Sequence, residues 1–289
     1  MDTSYLLIQT LNGLQYGFLL FLVASGLTLI FGIMGIINLA HGSFFMIGAY
    51  LCYWLAEKTG SLWLAILLGV PISVLVGLVV ERFGIVFLYK RDHLYQVLLT
   101  YGLILIFNEL RAILWGNDVQ SVKIPAFLAA SIPLTETQAY PIYRLFISFV
   151  CLLLAAGLYV VIQRTKLGMT IRAGAANREM VQALGLDINR LFAIVFALGA
   201  ALAAFAGMVN APVSSVYPGM GEEILIVSFV VVVIGGLGSI KGAFLGAMMI
   251  GMADTFGSVL LPTGSGTVVY AVMALVLLWR PQGLFGRAI

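Results

Sequence analysis

Few residues in this sequence have the type and spacing for chemistry. Its only histidines are His41 and His93, and its only cysteines are Cys52 and Cys151. No acid–histidine grouping has metal-ligand spacing, and both cysteines sit in apolar stretches where packing thiols are expected. The stretch Gly235–Gly242 surrounds Lys241 with glycines. A phosphate loop needs Gly-x-x-x-x-Gly-Lys followed by Ser or Thr, whereas Ile240 precedes Lys241 and Gly242 follows it. No catalytic residue, metal or bound cofactor is expected. What remains is polarity in apolar surroundings: Asn38, His41 and Asp254. Asn38 and His41 either line a path or cap a broken helix. Asp254 either serves a path or proton role, or lies near an interface or against a neighbouring subunit.

The elements that hold these residues follow from composition. Of 289 residues, 62% are hydrophobic and 9% charged, against about 25% charged in soluble domains. That excludes a water-soluble enzyme, a disordered chain and a disulfide scaffold. No Asp, Glu, Lys or Arg occurs in 3–56, 59–80, 145–163, 191–221, 224–240 or 255–279. A helix needs about 20 apolar residues to cross a bilayer. These runs lack the two-residue alternation of membrane barrels. The expected fold is all-α, a polytopic transmembrane bundle in one domain spanning 1–289. The spans fall near 6–31, 43–56, 61–80, 95–115, 142–163, 191–211, 224–238, 242–261 and 267–280. Residues 32–56 read alternatively as one interrupted helix, so the count is eight or nine. No cleavable leader is expected, and the first span reads as an uncleaved anchor.

Basic residues orient the chain. Loop 81–93 carries Arg82, Lys90 and Arg91. Loop 164–190 carries Arg164, Lys166, Arg172, Arg178 and Arg190, and the tail carries Arg280 and Arg287. Loop 116–141 holds Asp118, Glu136 and one Lys123, and loop 212–223 holds Glu222 and Glu223. The first set reads as cytoplasmic and the second as external, with the C-terminus inside. The net charge of +3 reflects inner loops rather than nucleic-acid binding. With its three prolines, loop 116–141 is expected to be irregular or to carry one short surface helix.

Two segments echo each other 200 residues apart. Gly35, Gly42 and Phe44 match Gly235, Gly242 and Phe244, and His41 aligns with Lys241. Paired glycine-rich interruptions point to broken helices around a transport path, with Gly238 inside the second. Chance recurrence of small packing residues is the alternative.

The loop 164–190 predicts one short amphipathic helix over 175–186. Ala176, Met180, Ala183 and Leu184 share a face, Arg178, Glu179 and Gln182 lie elsewhere, and Gly185 ends the helix in a left-handed turn. Such a helix fits a groove in another protein or serves as a surface connector.

The run GLTLIFGIMGIINLAHGSFFMIGAY (26–50) resembles the N-terminal signature of branched-chain amino acid ABC transporter permeases. GMTIRAGAANREMVQALGLDINRLFAIVFALGAALAAFAG (168–207) resembles that family's coupling loop and following helix. GGLGSIKGAFLGA (235–247) and RPQGLFG (280–286) resemble it too. Length and the lack of a nucleotide-binding domain are similar to the shorter of its two permease types. The resemblance implies a second permease subunit, two cytoplasmic ATPase subunits that use ATP-Mg, and a periplasmic or extracellular substrate-binding protein. It implies a bacterial inner-membrane location and transport of branched-chain amino acids by alternating access. A urea or short-amide permease is the nearest alternative within the family, and an ion-coupled secondary transporter using Asp254 lies outside it. Carried over by position, Ala175, Ala176, Arg178, Glu179, Met180 and Gly185 match the ATPase-contacting motif, with Leu184 as an apolar anchor. The loop departs from the pattern Glu-Ala-Ala-x-x-x-Gly at Gly174 and Met180. Glu222 and Glu223 either meet basic residues on the delivering protein or lie in a solvated loop.

Overall fold

The computed structural model describes residues 3–89, 91–134, 138–261 and 264–286. Lys90, Glu136 and Arg287, three of the charges used for orientation, lie outside these ranges. The described residues form eleven α-helices. They are α1 (Thr3–Leu29), α2 (His41–Thr59), α3 (Leu62–Phe83), α4 (His93–Trp115), α5 (Ile142–Arg164) and α6 (Lys166–Ala176). Then follow α7 (Arg178–Ala183), α8 (Ile188–Asn210), α9 (Met220–Gly235), α10 (Ile240–Leu260) and α11 (Ser265–Trp279). Each of the nine apolar runs is a helix. Six of them are long and apolar enough to cross a membrane: α1 with the π-helical turn Ile30–Met34 that extends it, α3, α4, α5, α8 and α10. The others, α2, α9 and α11, have 19, 16 and 15 residues.

Of the six long, apolar helices, two lie deepest. In their most apolar stretches 83% of α1 and 72% of α8 is buried, against 22–33% for α3, α4, α5 and α10. Helix α1 packs on α10 and α8, and α2 packs on α8 and α3. Lipid tails are as apolar as leucine, so burial alone does not drive such packing and close backbone approach must. Small residues stand at the crossings. A Cβ on Gly26 of α1 would lie 2.7 Å from the Gly199 carbonyl oxygen of α8, and one on Gly48 of α2 would overlap the Ala204 carbonyl. Cys52 and Cys151 are buried free thiols.

The 116–141 connection differs from expectation. Besides a short 3-10 turn at Ala126–Leu128, it forms a hairpin, β1 (Ser131–Pro133) with β2 (Ala139–Pro141). Both prolines sit at strand ends of a two-stranded sheet, where a missing donor is tolerated.

Candidate functional site

Two joints interrupt the bundle where the glycine echo places them. At the first, the π turn of α1 ends at Gly35, whose φ of +61° is a left-handed conformation that glycine adopts at no steric cost. The chain returns through 36–40 and restarts as α2 at His41. Asn38 and His41 are fully buried. The Asn38 Oδ1 accepts from the Ala40 N–H at 3.1 Å, and the His41 Nε2 lies 3.0 Å from the Val23 carbonyl of α1. Asn38 thus satisfies a backbone group freed by the break, while His41 ties the start of α2 to the interior of α1. Among the described residues, Asn38 Nδ2 and His41 Nδ1 find no hydrogen-bond partner. Gly42 lets α2 meet α9, because a Cβ there would overlap the Gly221 carbonyl.

The second joint runs from the end of α9 at Gly235 to the start of α10 at Ile240, through Gly236 at φ +93° and Gly238 at φ +80°. Gly235 and Gly242 pack backbone to backbone across the turn. Lys241, the counterpart of His41 in the echo, is exposed. It borders an apolar groove of about 390 Å³ between α1, α5 and α10, walled by Phe21, Ala156, Tyr159 and Phe244. The two joints lie side by side: a Cβ on Gly32 would stand 2.8 Å from the Gly238 Cα.

The 164–190 loop closes over the same end of the bundle, and one expectation is corrected here. The single helix over 175–186 is two helices, α6 and α7, broken at Asn177. Asn177 is extended (φ −156°, ψ 104°) and caps α7 by accepting from the Met180 N–H at 2.9 Å. Asparagine competes with the helix for its own backbone, which makes it a cap rather than an interior residue. Ala175 and Ala176 therefore end α6, while Arg178, Glu179 and Met180 open α7. Gly185 is left-handed at φ +80°, as its spacing implies, and the Leu186 N–H donates back to the Val181 carbonyl at 3.3 Å. Ala175, Ala176, Glu179, Met180, Leu184 and Gly185 are all exposed.

Arg178 is the exception, turned inward. Its guanidinium lies 5.4 Å from the centre of the Phe192 ring of α8. A Cβ on Gly35 would stand 2.8 Å from its Nη2, so the guanidinium rests on the first joint. Periodicity sets Arg178 apart from Met180 and Leu184 but cannot say that its own side of α7, shared with the buried Val181, turns toward the bundle.

At the opposite end, Asp254 lies in α10, partly buried. Glu222 and Glu223 occupy the first turn of α9, where acids suit the helix dipole. Glu222 accepts from the Asn108 amide of α4, and Glu223 accepts from the Tyr217 hydroxyl at 2.5 Å. Burial, and then the bond to Glu223, push the Tyr217 phenol up to about 12. Arg111 turns back to its own helix end, donating to the Gly116 carbonyl at 2.7 Å and Asn117 Oδ1 at 2.8 Å. Sequence reading also missed the buried Glu81 of α3, which accepts from the Tyr89 hydroxyl. An acid eight residues before a tyrosine across a helix end carries no recognisable pattern.

Comparison with known proteins decides the family. Residues 9–278 match the family described as branched-chain amino acid transport system, permease component. The chain belongs to this family. The permease is 32% identical to the high-affinity branched-chain amino acid transport system permease protein BraD of Pseudomonas aeruginosa, over 99% of this chain and 97% of that protein. It is 29% identical to LivH of Escherichia coli K12, over 98% and 96%. It is 27% identical to LivM of the same organism, over 91% of this chain but 67% of LivM. Both bear the same description as BraD. No solved structure matches.

Proposed function

We propose that this permease is a transmembrane subunit of an ATP-driven importer of branched-chain or related small amino acids. It works in the bacterial inner membrane beside a second permease subunit, with two ATPase subunits on the inner face and a separate binding protein outside. The likeness to both LivH and LivM of one organism supports an unlike pair. The α7 end and the C-terminus are cytoplasmic, the chain crosses eight or nine times, and the glycine echo is an internal repeat whose two joints border the path. Asn38, His41, Gly42, Gly235, Gly238 and Gly242 shape that border, and Asp254 lies further along α10. This chain binds no cofactor, and ATP-Mg is used by its partners.

One observation carries the reading. Met180 on the six-residue α7 and Leu184 at its end are 58% and 72% exposed beside Ala175 and Ala176, at the end of the bundle where the basic loops gather. Large apolar side chains held in water beyond the membrane mark an interaction surface, and the small alanines allow close approach. A partner that moves this surface shifts the bundle between inward- and outward-open states only by binding those states with different affinity.

The test is uptake of radiolabelled leucine into proteoliposomes holding the assembled transporter and binding protein. Uptake that requires ATP inside the ATPase compartment supports the proposal. Uptake without the ATPases that collapses with the proton gradient selects the ion-coupled reading and refutes it.

A further inference from the structure

Arg178 sits in the element that the proposed function assigns to motor docking, yet it faces the bundle. Behind it a continuous set of side chains leads away from α7. Its guanidinium lies over the face of Phe192, which is buried. The Phe192 ring meets the Tyr89 ring edge-on, centroids 4.9 Å apart and planes at 84°. The Tyr89 hydroxyl donates to Glu81, a buried acid near the end of α3. The same guanidinium rests on Gly35, the first residue of the α1–α2 joint.

We infer that Arg178, Phe192 and Tyr89 are positioning residues that carry a displacement of α7 to two places, the α1–α2 joint through Gly35 and helix α3 through Glu81. The inference rests on the reading that a partner moves α7.

The physical grounds are these. Helix α7 has six residues and joins α8 through only 184–187, so it is too short to act as a rigid lever by itself. Its hold on the bundle is Val181, which is buried, and Arg178. Cation–π attraction strengthens as the partners leave water, and here Phe192 is buried and Arg178 half-buried. Edge-to-face aromatic pairs have a preferred geometry and resist sliding. Glu81 has no other protein partner among the described residues, and a buried carboxylate left unpaired is costly. Tyr89 therefore cannot shift without α3 following. Burial, and then the bond to Glu81, hold the Tyr89 phenol above its ordinary range, so it remains a donor. At Gly35 the lack of a side chain leaves the space the guanidinium fills.

The test compares variants of the full assembled transporter in proteoliposomes, reading ATPase co-purification, ATP hydrolysis and leucine uptake. Y89F is expected to keep co-purification and hydrolysis within about twofold of wild type while uptake per ATP falls about tenfold, within the usual range of coupling between sites, and R178A is expected to lower uptake per ATP to the same degree. F192W, which preserves an aromatic face, is expected to retain coupling, and F192L to lose it. The double variant R178A/F192L is expected to be no worse than either single one, as members of one route are not additive. A simple packing role would not separate uptake from hydrolysis. Wild-type uptake per ATP in Y89F, or multiplied losses in the double variant, overturns the inference. Loss of ATPase co-purification with the unaltered chain would instead refute the docking reading beneath it.

Discussion

The two joints share a glycine pattern and do different work. The first, 35–41, is held by its own side chains. Asn38 caps its backbone, His41 ties it to α1 at the Val23 carbonyl, and the Gln96 Oε1 of α4 accepts from the Ile37 N–H at 3.2 Å. Its outer neighbour is Arg178 from a separate short helix. The second, 236–239, is clamped by the end of the chain. The Leu284 and Phe285 N–H groups donate to the Ile234 and Gly235 carbonyls at 2.8 and 3.1 Å, and Gly236 lies against Gly283 and Gly286. Side-chain caps can be re-formed in a shifted geometry, while backbone bonds to a wedged segment fix one geometry. The first joint is built to adjust and the second to stay.

Three substitutions sharpen this contrast, from the largest effect to the smallest. Gly236→Val should prevent folding, because its Cβ would overlap Gly286 and its φ of +93° is closed to valine. Fluorescence-detected size exclusion of the membrane extract should show aggregated protein only. His41→Ala should cost about 2 kcal/mol by opening a void at a fully buried position, whereas Lys241→Ala, on an exposed side chain, should stay within about 0.5 kcal/mol. Denaturant titration in detergent reads both, and equal effects would mean that the two joints are equivalent. The smallest effect is in pH. The Tyr217 phenol is raised, so its contribution to stability is complete below about 10, its ordinary value, and is lost as pH rises toward about 12. Thermal stability should be insensitive to Tyr217→Phe in its pH dependence from 6 to 9. Above 10 the wild type should fall more steeply than the variant.

Much of this was legible in the sequence because it depends on local composition. Charge-free or charge-poor apolar runs located the nine apolar helices, and glycine spacing located both joints and the left-handed Gly185. What was not legible depends on where helices point after a break. Asn177 splits 175–186, and Arg178, which by position matches the ATPase-contacting motif, faces the bundle beside Val181 instead. His41 and Lys241 align in sequence, yet one is buried against α1 and the other borders a peripheral groove. The β1–β2 hairpin was missed because Pro133 and Pro141 argue against strands everywhere except at their ends. The Glu81–Tyr89 pair joins residues on two elements whose relative placement no local pattern encodes.

The central claim is that the exposed face of α6 and α7 is where a motor subunit engages the permease. The direct measurement is cross-linking in a chain carrying Cys52→Ser and Cys151→Ser, with single cysteines placed at Ala176, Met180 or, as a control at the other end, Ser214. A short reagent with a thiol-reactive maleimide at one end and a photoactivated benzophenone at the other, which inserts into C–H bonds, should join positions 176 and 180 to the co-purified ATPase subunit in good yield and leave position 214 unjoined. Cross-links absent at 176 and 180, or equally strong at 214, would contradict the claim.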